Sequence, residues 1–157
     1  MIEQIYTFFN LEMTYLWLNL GVLPFWFLLI FFPNSRISKF FVISIFPVLI
    51  LSSVYVYLLY ISFSDSYDFL QNFRLYLGIN ELSKLFENNY FLIIFWTHFL
   101  TINLFCGAWI VKDSQKFNIN KFLVFLPLII TYLVGPIGLF FYWLIRIFYA
   151  KKITIYD

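Results

Sequence analysis

Four long apolar stretches, almost free of charge, restrict this chain to folds that use lipid as their solvent. They cover about 13–32, 40–63, 90–111 and 122–149. Each is close to, or longer than, the roughly 20 residues a helix needs to cross a hydrocarbon core of about 30 Å. No Asp, Glu, Lys or Arg lies deep within any of them, and Arg146 sits near the end of the last. Backbone in lipid must satisfy its own polar groups, so the expected structure is all-α, an integral membrane four-helix bundle. Composition agrees: 63% of the 157 residues are hydrophobic and 11% charged, too little polar surface to coat a soluble domain. Residues 1–157 are read as a single membrane domain.

The segment 64–89 carries Asp65, Asp68, Arg74, Glu81, Lys84 and Glu87 and cannot cross. Leu82, Leu85 and Phe86 share one helical face, with Asn80 as N-cap, which predicts a short interfacial amphipathic segment between spans two and three. A plain polar connector is the alternative. Four crossings put Arg74, Lys84, Arg146, Lys151 and Lys152 on one side and Arg36, Lys39, Lys112, Lys116 and Lys121 on the other. That balance leaves orientation undecided by the positive-inside rule. The opening Met1-Ile2-Glu3-Gln4 lacks a basic n-region, so the first apolar stretch is expected to stay as a span. A net charge of +2 gives no basis for nucleic-acid binding, and the lone Cys106 cannot form an internal disulfide.

Polar and helix-breaking residues inside the spans are the candidates for function, because polar groups in hydrocarbon need partners. Span one holds Asn19, Gly21 and Pro24; Pro24 frees the Leu20 carbonyl, and the plain reading is a kink with Asn19 as interhelical glue. Span three holds His98, Thr101 and Asn103. His98 shares a face with Thr101, Phe105 and Trp109, while Asn103 and Gly107 point about 140–180° away. His98 and Asn103 therefore need partners on other helices. A lone histidine with no Cys, His or carboxylate cluster predicts no metal site and no cofactor. Span four holds Gly135-Pro136-Ile137-Gly138, where the chain kinks and other backbones approach closely, as in the broken helices of transporters. Thr131 and Tyr142 add hydroxyls to the same span, and Trp17, Trp26 and Trp143 fit an aromatic belt.

Several blocks resemble one known family. They are Val22-Leu23-Pro24-Phe25-Trp26, Phe32-Pro33-Asn34-Ser35-Arg36, Trp96-Thr97-His98, Asn103 through Asp113, and Gly135-Pro136-Ile137-Gly138-Leu139 with Tyr142 and Arg146. Together they resemble the abscisic-acid-deficient-four-like, neoxanthin synthesis-related family over about 20–146. The resemblance implies a four-helix membrane protein and, in plants, a part in converting violaxanthin to neoxanthin by opening an epoxide to an allene. Such an isomerisation needs one group to polarise or protonate the epoxide oxygen and another to remove a proton. His98 matches the family histidine and is suited to either task. Against the family pattern, Asn103 stands where Asp is usual and Ala108 where Arg is usual.

The expected function is thus a membrane enzyme or accessory factor acting on a carotenoid or another apolar isoprenoid, with His98 and Asn103 at its centre. Asn19, Thr101, Trp109 and Tyr142 would touch the ligand, and Pro24, Gly107, Gly135, Pro136 and Gly138 would shape the helices. The competing reading is a non-catalytic subunit or pigment-binding scaffold of a membrane protein complex. A small transporter is a third, disfavoured by the absence of buried charge. Expected partners are the lipid bilayer and a bound carotenoid or lipid, in a bacterial cytoplasmic or plastid-type membrane.

Overall fold

The computed structural model describes residues 10–64, 68–151 and 153–154. Every regular element among them is helical: α1 Leu11–Phe31, α2 Arg36–Phe41, α3 Phe46–Ser64, a 3-10 helix Phe69–Tyr76, α4 Ile79–Phe86, α5 Asn89–Lys116, α6 Lys121–Val134 and α7 Pro136–Ala150. Three stretches are long and apolar enough to cross a membrane: Leu11–Phe31, Arg36–Ser64 and Asn89–Lys116. Their outward side chains are apolar; Phe27, Phe63 and Phe105 are each more than half exposed. Such a surface is unfavourable in water and neutral in lipid.

The chain forms two compact units, Met1–Gly21 with Leu49–Thr101 and Val22–Val48 with Ile102–Asp157. In the first, Leu18, Leu51, Leu58, Ile93, Ile94 and Leu100 are buried. The amphipathic α4 belongs to it and buries Leu85, as its face pattern predicts. Its N-cap is Gly78 rather than Asn80, with no side-chain cap. Lys84 Nζ donates to Glu81 Oε1 at 2.8 Å, which holds the Glu81 carboxyl below its usual range. Residues 65–67 of the expected interfacial segment, Asp65 among them, lie outside the described residues. In the second unit the core is built from Val22, Trp26 and Leu29 of α1, Leu104, Ile110 and Val111 of α5, and Val124 and Leu128 of α6.

The fourth apolar stretch departs from expectation. It is not one kinked span but two short helices of 14 and 15 residues. At 1.5 Å per residue they reach about 21 and 22 Å, short of a 30 Å core. In a single helix Gly138 and Pro127 would stand about 16 Å apart. Here a Cβ on Gly138 would come within 2.6 Å of the Pro127 carbonyl oxygen and would overlap the Thr131 backbone nitrogen and hydroxyl. The chain has reversed, and α6 and α7 form a tight helical hairpin. The cause is local. Gly135 sits at φ 63, a region open to glycine, and Pro136 has no N–H with which to continue the helix but suits the first turn of a new one.

The reversal sets the direction of α7. Asn103 lies against Gly135 at the hairpin tip, and Asp113 bonds Arg146 near its base. Ten residues of α5 and eleven of α7 therefore run side by side in the same sense. Lys121 and Lys151 open and close the hairpin at the end where α5 finishes.

The close α6–α7 contact tolerates no side chain at Gly138. Gly138→Val is expected to lower unfolding stability of the detergent-solubilised protein by about 1–3 kcal/mol through overpacking. Gly21, with nothing within 4 Å of an added Cβ, is the control, and Gly21→Ala is expected to be neutral or slightly stabilising in the same melt.

Candidate functional site

The hairpin tip brings the second unit's polar groups to its apolar core. Asn103 projects from α5 and is 4% exposed. A Cβ on Gly135 would lie 3.1 Å from its Cγ, so glycine is what allows the amide to rest on the turn. The Nδ2 group of Asn103 is buried with no hydrogen-bond partner. Beside it begins α7, whose first N–H groups have no acceptor within the helix and whose dipole presents its positive end. One turn further along α5, Gly107 makes room for Trp26: a Cβ there would fall 2.7 Å from the indole ring. Trp26 packs on Tyr132 of α6 at 5.4 Å between ring centroids, and its Nε1 is also buried without a partner. Trp26 is thus a core residue, not part of an aromatic belt. Trp17, by contrast, is 56% exposed.

Two unpaired donors in a core lined by Val22, Leu29, Leu104 and Leu128 are unusual, because each costs about 1–3 kcal/mol until an acceptor arrives. An oxygen atom is the group that would satisfy them. Along the same stretch of α5 runs an apolar groove of about 400 Å³, whose walls include Pro47, Val48, Leu104, Phe105, Ala108 and Trp109. Its α5 walls Phe105, Ala108 and Trp109 stand about 120–160° round the helix from Asn103, so the groove and the buried amide occupy different faces of α5.

At the base of the hairpin lies a group that hydropathy did not single out. Asp113 Oδ2 accepts from the Tyr142 hydroxyl at 2.6 Å and from Arg146 Nε at 2.7 Å. All three are buried. The Arg146 guanidinium lies 4.8 Å from the Phe117 ring and 5.0 Å from that of Trp143, and it donates to the Thr154 carbonyl at 3.1 Å. Trp109 meets Tyr142 edge-on at 5.7 Å and stacks on Trp143. Tyr142 and Trp109, expected at the ligand, are here bound into this cluster. The i, i+4 spacing of Tyr142 and Arg146, one face opposite an acid at the end of α5, is the sequence signal for it.

Of the remaining candidates, Asn19, His98 and Thr101 lie in the first unit and Pro24 in the second. Asn19 Nδ2 donates to the Tyr15 carbonyl at 2.7 Å, and its Oδ1 accepts from Trp96 Nε1 at 3.3 Å. Thr101 donates to the Thr97 carbonyl at 2.7 Å. His98 is exposed on the outside of α5. Pro24 is exposed on α1, which continues through it. Among the described residues no group of three or more His, Cys, Asp or Glu is placed to hold a metal ion.

Removing one partner of the Asp113–Arg146 pair strands a buried charge. Arg146→Met is expected to cost about 3–5 kcal/mol in a thermal or denaturant melt, while Asp113→Leu with Arg146→Met regains most of the loss. A double-variant loss equal to the sum of the Arg146→Met and Asp113→Leu losses would show that the pair is not coupled.

Comparison with known proteins places these features. No solved structure matches the chain. Protein ABA DEFICIENT 4, chloroplastic, of Arabidopsis thaliana is 32% identical over 103 residues, which cover 64% of this chain and 46% of the relative. The chain thus spans about half the length of that curated relative. A family model described as ABA DEFICIENT 4-like matches residues 13–142, from the first helix through the hairpin to Tyr142, and on that match the chain belongs to the ABA DEFICIENT 4-like family.

Proposed function

We propose that this protein is a multi-pass membrane protein that binds an oxygen-bearing carotenoid, or a similar long apolar isoprenoid, with its oxygen at the hairpin tip. The observation that carries this reading is the Asn103 amide, buried beside Gly135 with no acceptor for its Nδ2 group. A membrane-dissolved ligand with an apolar body suits the apolar core around Asn103, with Val22, Leu29, Leu104 and Leu128. Its epoxide or hydroxyl oxygen would satisfy Asn103 and gain from the positive end of α7. Polarising an epoxide oxygen in this way weakens its C–O bond, the first requirement for ring opening. The proton transfer that must follow needs a titratable group, a role the family resemblance gives to His98, which is exposed in the first unit. The resemblance to the neoxanthin synthesis-related family supports carotenoid chemistry, and the chloroplastic relative supports a plastid-type membrane.

A second reading, a pigment-binding subunit that performs no chemistry, has one observation in its favour. The group at the tip is an amide, which neither gives nor takes a proton near neutral pH.

Expression in carotenoid-producing cells followed by pigment chromatography separates the readings. Wild type is expected to alter an epoxide-bearing pigment, and His98→Ala to bind pigment without altering it. Asn103→Leu is expected to lower bound pigment by up to about tenfold, the worth of one buried hydrogen bond. The ligand-free Asn103→Leu protein should melt no lower than wild type, because the lost donor had no partner. Pigment bound but unchanged by wild type favours the subunit. Neither binding nor conversion removes both.

A further inference from the structure

The helical hairpin changes where the charges of this protein lie. Of its ten Lys and Arg residues, the second unit contains Arg36, Lys39, Lys112, Lys116, Lys121, Arg146, Lys151 and Lys152, and the first contains Arg74 and Lys84. The second unit's acids are Asp113 and Asp157, the former already bound to Arg146. Within that unit the cationic segments meet. Gln115 Nε2 donates to the Pro33 carbonyl and to Asn34 Oδ1, each at 3.0 Å, clasping the α1–α2 turn to the last turn of α5. Next to this clasp is a cavity of about 390 Å³. Lys39, Lys121, Asn34 and Asn118 form its polar wall, Ile30 and Val124 belong to its apolar one, and among the described residues no carboxylate borders it. The N-terminus of the 14-residue α6, capped by Asn120, opens beside it.

We propose that this cavity binds the phosphate of an anionic lipid headgroup. The inference rests on the membrane reading above but not on its pigment. Two lysines, amide donors and a helix N-terminus supply what a phosphate oxygen needs. The apolar wall distinguishes a lipid from a free ion, because a headgroup arrives attached to glycerol and acyl chains. Crossing parity points the same way. With three crossings, Arg36, Lys39, Lys112, Lys116 and Lys121 share one side, and the hairpin returns Arg146 and Lys151 to it. Among the described residues, seven cations against two put this end on the side where positive charge is retained, whose leaflet attracts basic segments through its anionic lipids.

The test uses the full chain, purified in neutral detergent from the membrane fraction. Melting is followed with added phosphatidylglycerol, phosphatidylcholine or inorganic phosphate, for wild type, Lys39→Gln/Lys121→Gln and, as the control in the other unit, Arg74→Gln/Lys84→Gln. The expected result is a rise of several degrees with phosphatidylglycerol for wild type and control, less than half of it in Lys39→Gln/Lys121→Gln, and little effect of phosphatidylcholine or phosphate. An equal rise in Lys39→Gln/Lys121→Gln, or none in wild type, overturns the proposal. A full rise with inorganic phosphate alone replaces the lipid by a free anion. Recovery of the protein in the soluble fraction would instead count against the membrane reading itself, and pigment conversion bears on neither outcome.

Discussion

The contact of Gly138 with the backbone of Thr131 and Pro127 is the constraint on which the second unit depends. Two helices approach this closely only where one lacks a side chain, and they can turn back at all only because Gly135 adopts a positive φ. Everything of interest hangs from that reversal. It lays the turn on Asn103, it brings Tyr142 and Arg146 to Asp113, and it sets both ends of the hairpin beside the last turn of α5. Were the fourth stretch a straight span, Arg146 would finish on the opposite face of the membrane from Asp113.

The polar groups of this unit fall into two kinds that composition cannot separate. At the hairpin base, a carboxylate, a phenol and a guanidinium satisfy one another, and the aromatic rings around them exclude water. At the tip, Asn103 and Trp26 are buried and unsatisfied. The first arrangement anchors the hairpin at its foot. The second leaves two buried donors, Trp26 Nε1 and Asn103 Nδ2, without an acceptor, at a cost in stability.

Much of the helical layout is legible in the sequence. Expected spans 13–32 and 90–111 correspond to Leu11–Phe31 and Asn89–Lys116, and α4 forms where the Leu82, Leu85 and Phe86 face requires it. Hydropathy fixes such limits because it reports solvent, residue by residue. It says nothing of direction, and a kink differs from a reversal by a few dihedrals around Gly135. The site is legible in the same uneven way. Asn103, Gly107, Gly135 and Gly138 are found from their types and do meet close neighbours, because a polar or minimal residue in lipid needs a reason. Asp113 escapes because an acid at a span end has an ordinary explanation, and only the folded chain supplies its partners. Trp26 escapes for the converse reason, since an indole near a span end passes for an interface anchor.

The hairpin has a consequence for biogenesis. Its turn, Val134-Gly135-Pro136-Ile137, contains no charged or hydrogen-bonding side chain, and its two basic ends stay together. It can therefore enter the bilayer from one face as a closed unit after α5 is in place, without any hydrophilic segment being carried through. The last quarter of the chain would thus carry no charged side chain across the bilayer.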